Sequence, residues 1–285
     1  MKIVRAIADM RAALTEHRRA GHRIGLVPTM GALHAGHLSL IERARAQCDV
    51  AVASLFVNPT QFDDAGDLAA YPGDEHRDAE VAEEAGVDLL FAPTGEEMYP
   101  PGFATSVSVG GLSEDLEGAH RGKAHFDGVA TVVTKLLNIV SPDVAYFGQK
   151  DAQQALVIRR LVRDLDIPVE IEVCPTVREN DGLALSSRNV LLDAEARSRA
   201  TALHRALVAV KEAVTRGEDD PAAAIALGHQ ELQAADIEPE YLVLVAADTL
   251  RPLERVQGEA LAVIAARVGG TRLIDNEIIE SNGRT

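Results

Sequence analysis

The stretch Ile24-Gly25-Leu26-Val27-Pro28-Thr29-Met30-Gly31-Ala32-Leu33-His34-Ala35-Gly36-His37-Leu38 decides the fold. A short apolar run, Ile24 to Val27, stops at Pro28. From Leu38 to Ala46 the apolar residues fall into helical period. A strand, a glycine-bearing turn and a helix follow one another directly, which is one step of a strand–helix alternation.

The alternation continues on both sides. Val4 to Gly21 reads as a helix before the first strand. Val50 to Val57 is an apolar run closed by Asn58-Pro59. Asp74 to Ala85 reads as a helix ended by Gly86, and Val87 to Ala92 as a strand closed by Pro93. In Gly128 to Val140 the apolar residues Val129, Val132, Val133, Leu136, Leu137 and Val140 lie on one helical face. Val144 to Phe147 is a strand, Ala152 to Leu165 an amphipathic helix, and Val169 to Val173 a strand. This pattern predicts an α/β fold with a Rossmann-like, doubly wound parallel sheet over residues 1–176. From 177 to 285 the pattern changes to a smaller α+β domain. Helices are expected at Asp193 to Arg216 and Pro221 to Ala235, and strands at Tyr241 to Val245, Leu261 to Val268 and Thr271 to Ile279. Between the two parts runs a polar connection, Arg178 to Asn189.

Composition narrows the function. The 285 residues are 47% hydrophobic and 25% charged, enough for a sizeable core, and with 4% aromatics and no Trp that core must be aliphatic. A net charge of −16 argues against a nucleic-acid partner, because phosphate backbones need an electropositive footprint. Cys48 and Cys174 belong to no paired motif and read as reduced apolar fillers. Met1 to Arg5 lacks the apolar stretch of a signal peptide, and no run is long enough to span a membrane, so the cytoplasm is the expected compartment.

The residues with chemistry cluster at the expected carboxyl ends of strands. In an open α/β sheet, ligands bind there. His34 and His37 flank Gly36 where a strand passes into a helix, and the unpaired N–H groups and positive end of a helix suit phosphate. A metal-binding pair is the rival reading, since residues three apart share a helix face; no third ligand stands out. Leu185-Ser186-Ser187-Arg188-Asn189 offers two hydroxyls and a guanidinium fork in a loop placed to close over a nucleotide. Phe147-Gly148-Gln149-Lys150-Asp151 follows a strand and opens a helix, which sets a cation at the same sheet edge. Asn58 and Gln61, in Phe56-Val57-Asn58-Pro59-Thr60-Gln61-Phe62, are neutral donors suited to a hydroxylated or carboxylate substrate. Glu117 to Phe126, with His120, Arg121, Lys123 and His125, reads as a mobile basic loop. Neither a nucleophile constellation nor the GxGxxG or GxxxxGK[ST] phosphate loops are found, so the expected chemistry is positioning and charge stabilisation.

The ordered set LVPTMGALHAGHLSLI, FVNPTQF, AYP, FDGVATVVTKLLNIV, FGQKDAQQ, DGLALSSRN and TRLIDN resembles the pantothenate synthetase (pantoate–β-alanine ligase) family over nearly the whole chain. The resemblance implies a HIGH-type nucleotidyltransferase fold and a homodimer. It implies condensation of pantoate with β-alanine, using ATP and passing through a pantoyl adenylate. By position, it implies that His34, His37, Lys150, Ser186, Ser187 and Arg188 act on the phosphates. Gly148, Asp151 and Leu185 line the nucleotide, Met30 touches both ATP and pantoate, and Gln61, Gln154, Asn58 and His125 bind pantoate. Two departures are visible. Arg121 to Phe126 is one residue longer than the family's loop. Arg77-Asp78 stands where an acidic pair is expected, which leaves Asp78 as the candidate for a protein-held metal and makes Mg²⁺ an ion that arrives mainly with ATP. Another nucleotidyltransferase, a tRNA-charging enzyme and a catalytically silent nucleotide-binding regulator are the alternatives. Dependence of pyrophosphate release on pantoate separates them.

Overall fold

The computed structural model describes residues 1–62, 66, 68, 71 and 73–281. Ala70 and Pro72 of the Ala-Tyr-Pro stretch lie outside the described residues, as do residues 282–285 of the expected second domain. By packing, the chain divides into two units. One comprises Met1–Gly148 with Gln153–Pro175, the other Gln149–Ala152 with Thr176–Thr285.

The first unit is built on strands β1 (Lys2–Val4), β2 (Ile24–Thr29), β3 (Val50–Leu55), β4 (Leu89–Phe91), β5 (Val144–Gly148) and β6 (Glu170–Cys174). They form one sheet in the order β1-β4-β3-β2-β5-β6, with every pair parallel. Parallel sheets are covered on both faces, and alternate residues here feed two separate cores. Ile24, Leu26, Val50 and Val52 enter one core with Met10 and Leu14 of α1 (Ile7–Arg19). Val27, Ala51 and Ala53 enter the other with Leu40, Ile41 and Ala44 of α2 (Ala35–Gln47) and Ala82 of α3 (Glu75–Glu84). Two short helices follow, α4 (Gly95–Met98) and α5 (Glu117–Arg121). Next come α6 (Lys123–Val140) and α7 (Ala152–Asp164).

Helix α6 departs from expectation. Its first turn is the Lys123–Phe126 segment, so α5, Gly122 and α6 replace the expected mobile loop. Gly122 supplies the joint at φ +77. No side chain caps α6 at its start, which forgoes about 1 kcal/mol. Its buried Val129, Val133, Leu136 and Leu137 outweigh that, at roughly 1.5–3 kcal/mol per fully buried aliphatic side chain. The helix ends at Ser141, in left-handed conformation ahead of Pro142. Two further differences are local. β1 falls in the stretch before α1, three residues too short to show a period. β2 runs through Pro28 to Thr29, because pairing with β5 has already ended at Leu26 and Pro28 needs only its β3 partner, Ser54.

In the second unit, β7 (Pro239–Ala246), β8 (Glu259–Val268) and β9 (Thr271–Glu280) form an antiparallel sheet in sequence order. Helices α8 (Ala194–Thr215) and α9 (Pro221–Ala234) cover it. Leu203, Leu207, Val210 and Val214 of α8 share a core with Leu242, Leu244, Ala262 and Ile264. Asp193 caps α8, and Asp220 with Pro221 at the first helical position starts α9. The sequence reading ran the first domain unbroken to residue 176. The structure instead gives the 3-10 turn Gln149–Asp151 to the second unit, where β9 holds it.

Candidate active site

The sheet order places its topological switch between β2 and β5. From β2 the chain winds out through β3 to β4, and from β5 it winds the other way to β6. Ligands of open α/β sheets sit at this crevice, and the expected residues flank it. Met30 and the Gly31–His37 turn leave β2, and Gly148 closes β5.

His34 is the N-cap of α2. Its Nδ1 accepts the Gly36 N–H at 3.1 Å, while His37 Nδ1 accepts the His34 N–H at 3.4 Å. The two rings lie 4.2 Å apart between centroids. Because both Nδ1 atoms act as acceptors, the ring proton of each neutral imidazole sits on Nε2. The pair thus presents N–H donors at the positive end of a helix. Gly36 is required by this packing: a Cβ there would lie 2.8 Å from His34 Cε1.

The turn before His34 is held from below. Asp78, only 3% exposed, accepts the Ala32 N–H through Oδ2 and the Leu33 N–H through Oδ1, each at 2.8 Å. Gly31 (φ +93) and Ala32 (φ +51) are left-handed. Both Asp78 oxygens serve this turn, so the structure gives the residue a scaffolding task in place of the expected metal candidacy. Among the described residues no group of three or more His, Cys, Asp or Glu side chains is arranged to hold a metal.

Met30 and Gln61 come together, with Gln61 Nε2 3.1 Å from Met30 Sδ. Asn58 sits behind Gln61. Its Nδ2 donates to Gln61 Oε1 (3.0 Å) and to the Gly128 carbonyl (3.1 Å). Its Oδ1 accepts from the Thr60 hydroxyl (2.9 Å) and the Tyr99 hydroxyl (2.8 Å). Asn58 is 1% exposed and its donors and acceptor are engaged, so it orients Gln61 and is not itself placed as a ligand group, contrary to expectation. His125 is likewise buried, with Nδ1 2.8 Å from the Gln61 carbonyl oxygen, and it braces the same turn. Burial pushes the Tyr99 phenol up, which keeps it a neutral donor to Asn58. Gln154 stands half-buried in the first turn of α7 and takes no part in this set. Its buried neighbour Gln153 instead ties α7 to the Leu112 and Asp115 carbonyls and the Glu117 N–H.

In the second unit Lys150, Ser186, Arg188, Asn189, Arg272 and Asp275 line one cleft. Ser186 caps the 3-10 turn Ser187–Leu191, its Oγ accepting the Arg188 N–H at 3.2 Å. Leu185 is fixed through its N–H to the Val177 carbonyl at 2.9 Å. Lys150 lies 3.5 Å from the exposed Asp151 carboxylate. A side chain at Gly148 would meet open space, which leaves room there for a ligand.

Sequence reasoning missed Asp78 as a clamp, Tyr99, Gly128 and Asn276. A glycine inside an otherwise apolar helix face was the available signal for Gly128. The others carry no local signal, since their partners are distant in sequence. Cys48 and Cys174 are buried and form no disulfide. Among the described residues, no helix is long and apolar enough to cross a membrane.

A family model described as pantoate-beta-alanine ligase matches residues 2–278. The pantothenate synthetase of Cereibacter sphaeroides is 54% identical over 275 residues, covering 96% of this chain and 98% of that protein. The pantothenate synthetase of Moorella thermoacetica is 53% identical, covering 99% and 100%. The crystal structure of pantothenate synthetase from Thermus thermophilus superposes with a TM-score of 0.91 at 50% identity, covering 97% of this chain and 99% of that one. The pantoate-beta-alanine ligase of Francisella tularensis, complexed with beta-gamma ATP and beta-alanine, gives a TM-score of 0.77 at 33% identity, covering 98% and 97%.

Proposed function

The chain belongs to the pantoate–β-alanine ligase family, and from that premise we propose how its residues share the work. The reaction condenses D-pantoate with β-alanine, using ATP, to give pantothenate, AMP and pyrophosphate through a pantoyl adenylate. A pantoate carboxylate oxygen attacks the α-phosphorus and pyrophosphate leaves. The β-alanine amine then attacks the acyl carbon, and AMP leaves with that oxygen.

The observation that carries the assignment is the paired imidazole cap at the carboxyl end of β2. In the first step, negative charge builds on phosphoryl oxygens. Donors fixed beforehand stabilise it without reorganisation. His34 and His37 supply such donors through Nε2–H, aided by the amino end of α2. Lys150 adds a cation for the reacting phosphate. Ser186, Ser187 and Arg188 clasp the phosphates, and Gly148, Asp151 and Leu185 line the nucleotide. Met30, Gln61 and Gln154 hold pantoate, with Asn58 and His125 keeping Gln61 in place. The unit of Met1–Gly148 with Gln153–Pro175 supplies His34, His37 and the pantoate groups, and the unit of Gln149–Ala152 with Thr176–Thr285 supplies Lys150 and Ser186–Arg188. Mg²⁺ carried with ATP would be held mainly by phosphates and water and would supply charge neutralisation there. The enzyme works as a cytoplasmic homodimer.

Mass spectrometry of products from ATP, pantoate and β-alanine tests this reading. With oxygen-18 in the pantoate carboxylate, label is expected in AMP and not in pyrophosphate. AMP formation that ignores pantoate, or carries no label, overturns it.

A further inference from the structure

Beneath the Lys150 cleft lies a polar arrangement that the mechanism above does not use. All of it belongs to the second unit. Asn276 of β9 is 3% exposed. Its Nδ2 donates to the carbonyls of Gln149 and Lys150, each at 2.9 Å, and its Oδ1 accepts from Gln149 Nε2 at 2.9 Å. One amide therefore grips two successive carbonyls and the side chain of the 3-10 turn that presents Lys150.

Asn276 is itself fixed. Its N–H donates to Asp275 Oδ1 at 2.8 Å. Asp275, 4% exposed, takes a two-point contact from Arg178, with Nη1 2.6 Å from Oδ2 and Nη2 3.1 Å from Oδ1. Arg178 Nη1 also donates to the Gly182 carbonyl at 3.1 Å, in the hairpin that leads to Leu185 and Ser186. A fork-to-fork guanidinium–carboxylate pair fixes orientation as well as distance. The same pair thus borders both the turn carrying Lys150 and the segment entering the Ser186–Arg188 turn.

We propose that Asn276, braced by the Arg178–Asp275 pair, is a positioning residue for adenylation, holding the Gln149–Lys150 backbone so that the Lys150 ammonium meets the reacting phosphate. This rests on the role assigned to Lys150. Lysine is a point charge on a flexible stem, so its reach is defined by where its backbone is anchored. Misplacement of a reacting group by about 1 Å costs on the order of 10²-fold in rate. Groups that act as a unit are not additive when removed together.

A double-mutant cycle on the full chain tests the proposal, using Asn276→Ala, Lys150→Ala and the pair. The readouts are single-turnover pyrophosphate release from ATP and pantoate, the KM for β-alanine, and the melting temperature. Asn276→Ala is expected to slow adenylation about 10²-fold and to leave the KM for β-alanine unchanged. In the Lys150→Ala background the same change is expected to cost less than about threefold. Asn276→Ser, which keeps one donor, is expected to recover part of the rate, and it replaces alanine in the cycle if Asn276→Ala does not fold. Multiplying losses beside an impaired Lys150→Ala, or a near-normal rate in Asn276→Ala, overturn the proposal. A near-normal Lys150→Ala removes the premise, and with it the proposal.

Discussion

The Asp78 carboxylate grips the Leu33 amide at 2.8 Å through Oδ1, while its Oδ2 takes the Ala32 amide at the same distance. A non-glycine residue in left-handed conformation, as at Ala32, costs on the order of 1 kcal/mol. Hydrogen bonds to a charged group contribute roughly 1.5–3 kcal/mol each, so the clamp outweighs the strain it imposes. Asp78→Ala should therefore destabilise the protein by about 3 kcal/mol and slow adenylation by loosening the turn before His34. Asp78→Asn, which keeps one acceptor oxygen, should fall between. Urea melts and single-turnover pyrophosphate release check both, and a wild-type melt for Asp78→Ala would refute the clamp.

Gly36→Ala separates activity from stability. The new Cβ would sit 2.8 Å from His34 Cε1 and 3.0 Å from Nδ1. The atoms in its way are the end of a side chain, so the imidazole turns aside and the backbone stays. Alanine also favours the first turn of α2 by about 1 kcal/mol over glycine. The expected outcome is a melting temperature near that of wild type with adenylation down about 10²-fold. Unchanged adenylation would show that the His34 ring orientation is immaterial.

Where local structure is set by sequence neighbours, the sequence showed it. The strand–turn–helix step that carries His34 and His37 was readable because its signals follow one another directly, and the passage from a parallel to an antiparallel sheet was readable because apolar period changes after β6. Where a task is set by a distant partner, it did not. Asp78 looked like a free acid because the amides it binds lie more than forty positions earlier. Asn58 looked like a ligand group because Tyr99 and Gly128, which saturate it, are remote in sequence. Lys123 to Phe126 looked like a loop because glycine and charge dominate locally, whereas burial of His125 and Phe126 draws the segment into α6. Tertiary contact decided each of these cases.

His204 should make stability depend on acid. Its pKa is lowered, first by burial and then by the Arg178 cation. Lys211 acts in the same direction, and Asp275 and Glu277 oppose it. The folded state therefore takes up the proton later than the unfolded chain does. This stability is fully present above the ordinary value of 6.5 and is lost as the pH falls from there towards the lower native value. His204→Gln should show a shallower fall of melting temperature below pH 6.5 than wild type, whatever its stability at neutral pH. Parallel curves would show that His204 does not carry the effect.

Gly128→Ala should act on pantoate through the Asn58 turn. Gly128 lies in α6 directly beneath that turn. A Cβ there would come within 2.4 Å of the Thr60 carbonyl oxygen and 2.8 Å of the Gln61 nitrogen. Both are backbone atoms, so no rotamer relieves the overlap and the turn must lift off the helix. Lifting it lengthens the Asn58–Gly128 hydrogen bond and moves the Gln61 amide away from Met30. Overpacking of this kind costs about 1–3 kcal/mol. With Gln61 in its proposed role of holding pantoate, the KM for pantoate should rise about tenfold or more while the KM for ATP changes little. A rise confined to ATP would place the Asn58–Gln61 turn at the nucleotide and away from pantoate.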